Sequence, residues 1–493
     1  MPTWFFYNYE PCKIITMKRT IKTQHLCFFI GLLLACTYTG FAQDDERPNI
    51  ILIMTDQHQA RALSSTGNSN LKTPNLDGLA KSGIQFNKAY STFPLCTPAR
   101  SSIFTGQMPH NLGIKSNAQS EAHLQSEAKK TILANVLKEA GYDCAYGGKW
   151  HAHEADMVDG NGFEMIAPMG DIGLAEKSIA YLQSKKDSNK PFFLTVSYDN
   201  PHNICEWARN EPLPYGDIPG VALEDTPELP VNFKQSLTFP EALKIEQIAN
   251  KKVYPTANYT VEDWRQYRHT YYRLVEKVDA EIGKILDAVA DLGMRKNTLI
   301  IFTSDHGDGN ASHGWNQKTS LFQESTNVPF IVSFKGEIKK NKQNTSLISN
   351  GLDLYPTILD YAQIEIPTHL TGESLKPIFE GKQQKTNRDY VVVETKFAGN
   401  HAFGTMGRSV VGKRFKYNVY NWGKNREQLF DLKNDPFEMN NLATDKDYLK
   451  TLDIFRDRLY KWCMDTDDKQ FLRKIVLPSH STISSSTLFD KPY

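Results

Sequence analysis

Neither sign of charge is in excess in this chain of 493 residues: Lys and Arg number 57, Asp and Glu 56, for a net charge of +1. A nucleic-acid-binding chain usually carries a clear basic surplus, so no nucleic-acid partner is expected. A local basic pocket for a small anion remains compatible with the balance. Long apolar runs are also missing. The stretch from Leu26 to Ala35 is too short to span a bilayer, which takes about 20 residues. Cysteine is scarce and scattered, with seven in all and no C-x-x-C pair. Three of them, Cys12, Cys27 and Cys36, lie near the N-terminus, which leaves Cys96, Cys144, Cys205 and Cys463 far apart. Such spacing calls for no disulfide framework. No repeat or low-complexity segment stands out, and 11% aromatic residues argue against disorder.

What remains is the profile of an ordinary folded chain, 40% apolar and 23% charged. The length suggests roughly two to four domains and a core large enough to need no staple. Residues 1–43 read as an address. Lys18, Arg19 and Lys22 precede the apolar stretch, as in a secretory signal, and Met17 opens a signal of normal form. Leu33-Leu34-Ala35-Cys36 resembles a lipobox, which would lipidate Cys36; Gly40-Phe41-Ala42 offers a cleavage site releasing a chain from Gln43. The mature protein is expected outside the cytoplasm, periplasmic or lipid-anchored, without a transmembrane span.

Ile50 to Met54, Phe193 to Tyr198 and Leu299 to Phe302 are short apolar runs suited to strands buried on both faces of a parallel sheet. Helical patterns alternate with them. Thr131 to Ala140 leads into Gly141; Trp264, Tyr267, Tyr271, Leu274, Val278, Ile282, Ile285, Val289 and Leu292 form one stripe ending at Gly293. The alternation predicts an α/β domain with a mostly parallel central sheet over 44–385. Residues 200–260 show little periodicity and read as a long surface excursion. Tyr390 to Glu394, Ser409 to Val411, Phe415 to Tyr420 and Gln428 to Leu432 read as strands, and Tyr448 to Cys463 as a helix. They suggest a smaller α+β subdomain over 386–475, followed by a tail over 476–493.

Ligands in open α/β sheets bind at the carboxyl ends of strands. Two of the best strands here end in Asp56-Gln57 and Asp305-His306. Carboxylate and amide oxygens suit a hard divalent cation. Alone, each pair reads more readily as a strand-end turn; two of them on the best strands make the metal reading equally good. Pro94 to Gly106, PLCTPARSSIFTG, is more specific. It resembles the signature of the formylglycine-dependent sulfatases of the alkaline phosphatase superfamily, with Cys96, Pro98 and Arg100 in register. Gly148-Lys149-Trp150-His151, Pro201-His202, Ser304 to Gly307, His313-Gly314 and Lys318 resemble further family elements in order. So do Leu429 to Leu432, Asn434 to Pro436 and Glu438 to Leu442. The likeness covers roughly residues 46–445, and the chain is similar to bacterial polysaccharide and glycosaminoglycan sulfatases.

The resemblance implies an alkaline-phosphatase-like fold and a sulfuric ester hydrolase acting on a sulfated carbohydrate. It implies oxidation of Cys96 to formylglycine (3-oxoalanine) by a sulfatase-maturing enzyme. It implies a metal, calcium in preference to magnesium, held by Asp56, Gln57, Asp305, His306 and residue 96. Arg100 would steady the nucleophile. Lys149, His202, His313 and Lys318 would bind sulfate, with Lys149, His202 and Lys318 also serving in catalysis and His151 as a base. The chain departs from many members in carrying Gln57 for an aspartate and His306 for an asparagine. That pairing also looks like the phosphonate monoester hydrolases and phosphodiesterases of the same superfamily, which supply the alternative reading. A non-catalytic glycan-binding protein is the third. The stretch from Asn203 to Asn210, with Glu206, Trp207 and Arg209, reads either as a sugar contact or as a structural loop.

Overall fold

The computed structural model describes residues 47–118, 129–153, 160–397 and 404–482, together with residues 1 and 124. The expected leader and Cys36 lie outside the described residues, as does the end of the expected tail. The described residues from Arg47 onward gather into one compact unit.

An eight-stranded sheet forms its centre. In chain order the strands are Asn49–Asp56 (β1), Ile84–Phe86 (β2), Asp143–Gly148 (β3), Glu164–Ala167 (β4), Phe192–Pro201 (β5), Thr298–Ser304 (β6), Phe330–Ser333 (β7) and Lys342–Asn344 (β8). They lie in the order β8-β2-β7-β6-β1-β5-β3-β4. Strand β7 runs antiparallel to both neighbours; the other pairs are parallel. The three apolar runs predicted as strands are β6, β1 and β5, side by side in the middle.

Alternation along β1 explains why it is apolar throughout. Ile50, Leu52 and Met54 enter a core on one face, while Ile51 and Ile53 enter a core on the other. Every side chain from Ile50 to Met54 is fully buried. Each such aliphatic group contributes roughly 1.5–3 kcal/mol over its exposed state.

Helices cover both faces. Helix α1 (Cys96–Thr105) is buried at all ten positions and ends on Gly106 with φ 68°. Helix α2 (Val261–Asp291) opens with a capping box between Thr260 and Asp263. It carries the predicted stripe, buried from Trp264 to Val289, and gives way to Gly293 at φ 76°. Helix α3 (Asn350–Tyr361) packs directly on α1. A Cβ at Gly351 would lie 2.8 Å from Ser102 Cβ and from Thr92 Cγ2, so only glycine permits that approach.

Beyond residue 385, Tyr390–Lys396 (β9), Met406–Gly412 (β10), Phe415–Tyr420 (β11) and Glu427–Asp431 (β12) form an antiparallel sheet. Helix α4 (Leu449–Asp465) covers one face through Leu452, Phe455, Leu459 and Cys463. The excursion over 200–260 is more ordered than its composition suggests. It contains helices at Ile204–Ala208 and Glu241–Ala249. Among the described residues no helix is long and apolar enough to cross a membrane.

Arg388 joins the segment before β9 to α3. Its guanidinium donates to both oxygens of the fully buried Asp353, at 2.7 and 2.9 Å. Arg388→Ala strands that carboxylate. We expect a loss of about 3–5 kcal/mol in unfolding free energy, measured by urea denaturation.

Candidate active site

Four neighbouring strands deliver the site from their carboxyl ends. Asp305-His306 follows β6, Asp56 ends β1, His202 follows β5 and Lys149 follows β3. Gly148 turns the last of these with φ 90°. A Cβ there would fall 2.1 Å from the Ser197 carbonyl oxygen, the same oxygen that accepts from Lys149 N at 2.8 Å. Cys96 is the first residue of α1, after Leu95 in extended conformation.

The Cys96 thiol lies 3.3 Å from His306 Nε2, 3.3 Å from Lys318 Nζ and 3.6 Å from Asp56 Oδ1. Arg100, one turn further along α1, is fully buried. Its Nε donates to Asp305 Oδ2 at 2.7 Å and one terminal nitrogen to Asp56 Oδ2 at 3.2 Å. The other terminal nitrogen reaches the Lys149 carbonyl at 2.7 Å and Ser197 Oγ at 2.8 Å. Lys149 Nζ sits between Asp56 Oδ2 at 2.9 Å and Asp199 Oδ1 at 2.6 Å.

Burial opposes charge on every member, and the neighbours decide the outcome. Burial raises Asp56, but Lys149, His202 and Arg100 outweigh it and hold the carboxyl well below its usual range. Burial and the charge of Asp56 lift Asp305 above it. Burial and Asp56 oppose a Cys96 thiolate, yet Lys318, Lys149 and His306 bring its pKa well below that of an ordinary thiol. Burial, with Lys149 and Lys318, pushes His202 down to about 3. Its imidazole is therefore neutral at physiological pH.

One ligand atom from each of Asp56, Cys96, Asp305 and His306 falls within a 4.8 Å cluster. Two fully buried carboxylates at one point repel each other, as the lifted Asp305 shows. A divalent cation would relieve that repulsion, and the donor set fits one.

Other predicted residues are placed differently. Gln57 turns with φ 69°; its side-chain amide donates to Asp308 Oδ2 at 2.7 Å and lies against Cys205 Sγ at 3.4 Å. His151, at φ 40°, keeps a buried Nδ1 without a hydrogen-bond partner among the described residues. His313 is not brought to the Cys96 cluster, contrary to its expected part in sulfate binding. A left-handed backbone at φ 56° stacks its ring on Phe322, centroids 3.9 Å apart. Its Nε2 accepts from Asn232 at 3.2 Å, beside Glu324 and Glu438. In the 203–210 stretch Trp207 packs edge-on to Tyr267, and Glu206 pairs with Arg209 at 2.9 Å.

Sequence reading missed Asp199, Asp171 and Asp308. Asp199 stands three residues before His202 in β5, and that spacing within one strand end was the available signal. Asp171 and Asp308 carry no local mark. The first accepts from the backbone of Asp199 and Asn200, and the second from Tyr267 and Gln57.

A family model described as "Sulfatase" matches residues 48–364. A second, "N-sulphoglucosamine sulphohydrolase, C-terminal", matches 311–465. A Delta 4,5-hexuronate-2-O-sulfatase of Bacteroides thetaiotaomicron is 31% identical, over 83% of this chain and 88% of that protein. The solved structure of a 2-O GAG sulfatase superposes with a TM-score of 0.78 at 29% identity, covering 90% of this chain and 100% of that one. A phosphonate monoester hydrolase of Agrobacterium radiobacter gives 0.69 at 23% identity, covering 85% and 96%. That degree of identity shows a shared fold alone.

Burial, with the charge of Lys416, presses His313 down to about 4. The unfolded chain takes up this proton below about 6.5 while the native one does not. Native stability should therefore fall as pH drops from about 6.5 to 4. We expect His313→Gln to flatten that part of a melting-temperature profile relative to the parent.

Proposed function

The chain belongs to the sulfatase family, and we propose that this sulfuric ester hydrolase removes sulfate from glycosaminoglycan or related glycan fragments outside the cytoplasm. The relatives named as hexuronate and GAG 2-O-sulfatases support that substrate class. The observation that carries the reading is the setting of Cys96. It is the first residue of a buried helix, with Lys318 and His306 at 3.3 Å and two carboxylates beside it.

A sulfate monoester needs a nucleophile, positive charge around its peripheral oxygens, and a proton for the leaving alkoxide. We assign the nucleophile to residue 96 after a sulfatase-maturing enzyme has oxidised the thiol to formylglycine. The Cys96 sulfur then marks the place of a hydroxyl oxygen of the hydrated aldehyde. As that oxygen forms its bond to sulfur its proton passes to solvent, and the S–O bond to the leaving alcohol breaks. Lys149 and Lys318, both held charged by neighbouring anions, bind the sulfate oxygens. His202, neutral in the free site, gains a proton as the anion enters and passes it to the leaving oxygen. His151, with its free buried Nδ1, takes the proton of the second hydroxyl. The aldehyde re-forms and sulfate departs. Arg100 holds Asp56 and Asp305 in place beneath the nucleophile.

Asp56, Asp305, His306 and residue 96 would hold a divalent cation; the Gln57 amide, engaged with Asp308 and Cys205, would have to turn to join them. When bound the cation supplies positive charge beside the nucleophile and favours the ionised hydroxyl. Once position 96 is oxidised, oxygen donors dominate the set, which favours calcium over softer ions. Export through the N-terminal 43 residues would place the enzyme with extracellular glycans.

Two measurements test the reading. The tryptic peptide Ala89–Arg100 from protein co-expressed with a maturing enzyme should show an aldehyde in place of the thiol. That protein should hydrolyse aryl sulfate and sulfated glycosaminoglycan disaccharides faster than aryl phosphodiester or phosphonate; the reverse order would move the assignment to phosphorus. Cys96→Ser lacks the second hydroxyl, so its turnover should fall by at least about 100-fold while substrate binding persists.

A further inference from the structure

Asp199 belongs to none of the sequence motifs and takes no part in the steps above, yet it is among the most engaged side chains of the site. It is 4% exposed. Its Oδ1 lies 2.6 Å from Lys149 Nζ and 3.9 Å from His202 Nδ1. Its Oδ2 accepts from Asn203 Nδ2 at 3.0 Å and from the Tyr215 hydroxyl at 3.3 Å. The backbone beneath is held as well. Asp171 accepts from Asp199 N at 2.6 Å and from Asn200 N at 3.1 Å, and His202 N donates to the Asp199 carbonyl at 3.0 Å.

Lys149 has one other carboxylate at hand among the described residues, Asp56 at 2.9 Å. If Asp56 were its only anchor, the ammonium would swing onto an oxygen needed elsewhere in the site. Asp199 pulls from the opposite side. An ammonium suspended between two carboxylates keeps its third direction for an incoming anion.

We propose that Asp199 is a positioning residue. Held by Asp171 and Tyr215, it aims the Lys149 ammonium at the sulfate group of the substrate. It touches neither the substrate nor the reacting atoms. This inference rests on the sulfatase reading of the same site.

The test is a double-mutant cycle on matured full-length protein with an aryl sulfate. Asp199→Asn keeps the volume and removes the charge. Alone it should lower kcat/KM by about 100-fold, as a misplaced binding group does. In a Lys149→Ala background it should cost less than about twofold, because the group it aims is gone. Tyr215→Phe removes one brace and should cost about 3- to 10-fold, again only when Lys149 is present. This second cycle carries the test if Asp199→Asn fails to fold. Metal content and melting temperature are read for every variant. Equal losses with and without Lys149 would overturn the proposal, and so would loss of bound metal in Asp199→Asn. A parent enzyme inert towards all sulfate esters would instead overturn the functional reading on which it stands.

Discussion

Everything in the site leans on one buried guanidinium. Arg100 reaches Asp305 after β6, Asp56 at the end of β1, Ser197 in β5 and the Lys149 carbonyl after β3. One side chain from α1 thus clamps four adjacent strand ends. Leaving either carboxylate buried without it would cost several kcal/mol. The clamp also sets the field. Asp56, Asp199 and Asp305 stand against Arg100, Lys149 and Lys318, close to neutral before any metal arrives. A divalent cation makes the pocket positive, the sign a sulfate monoester needs.

The second constraint is the loop after β6 that brings in Lys318. Asn310, Ala311, His313, Gln317 and Thr319 all carry positive φ, at a cost of order 1–3 kcal/mol each for non-glycine residues. Contacts from several elements hold them there. Arg268 donates to the Asn310 carbonyl at 2.9 Å, and Asp308 accepts from Asn310 N at 2.7 Å. Trp315 Nε1 donates to the Lys318 carbonyl at 3.0 Å, and Thr319 N to Pro94 O at 2.9 Å. The last bond ties the lysine's loop to the segment leading into Cys96. Strain in the backbone thus gives the ammonium a defined position over residue 96. The same winding turns His313 away onto Phe322, which is why a histidine only five residues from Lys318 takes no place beside it.

The central strands were legible because burial on two faces demands uninterrupted apolar runs, and Ile50 to Met54 supplies one. The long helix was legible for the complementary reason: one buried face, repeated at three and four residues. Cys96, Arg100, Lys149, Asp305 and His306 were legible as motifs, and the fold joins them, through Asp56, in one network of contacts. The excursion over 200–260 hid its helix at Glu241–Ala249 behind proline and acidic residues. Asp199 was marked only by its spacing from His202, and Asp171 was not legible at all, because nothing local separates a buried carboxylate from a solvated one.

By itself the sequence marked the central strands, the long helix and the motif residues that the fold gathers around Cys96. It did so because hydrophobic periodicity and short motifs are local properties, read within a turn or two of chain. Only the tertiary structure decided how those groups share charge. Asp56 and Asp305 have the same side chain and similar strand-end positions, yet Lys149 holds one low while its neighbour's charge lifts the other. Likewise His202 and His313 are both held neutral, but one, partly exposed, lies near the lysines of the site and the other is buried flat on a phenylalanine. The carboxylate difference arises from atoms brought within 4 Å across about a hundred residues of chain or more, a separation no local pattern records.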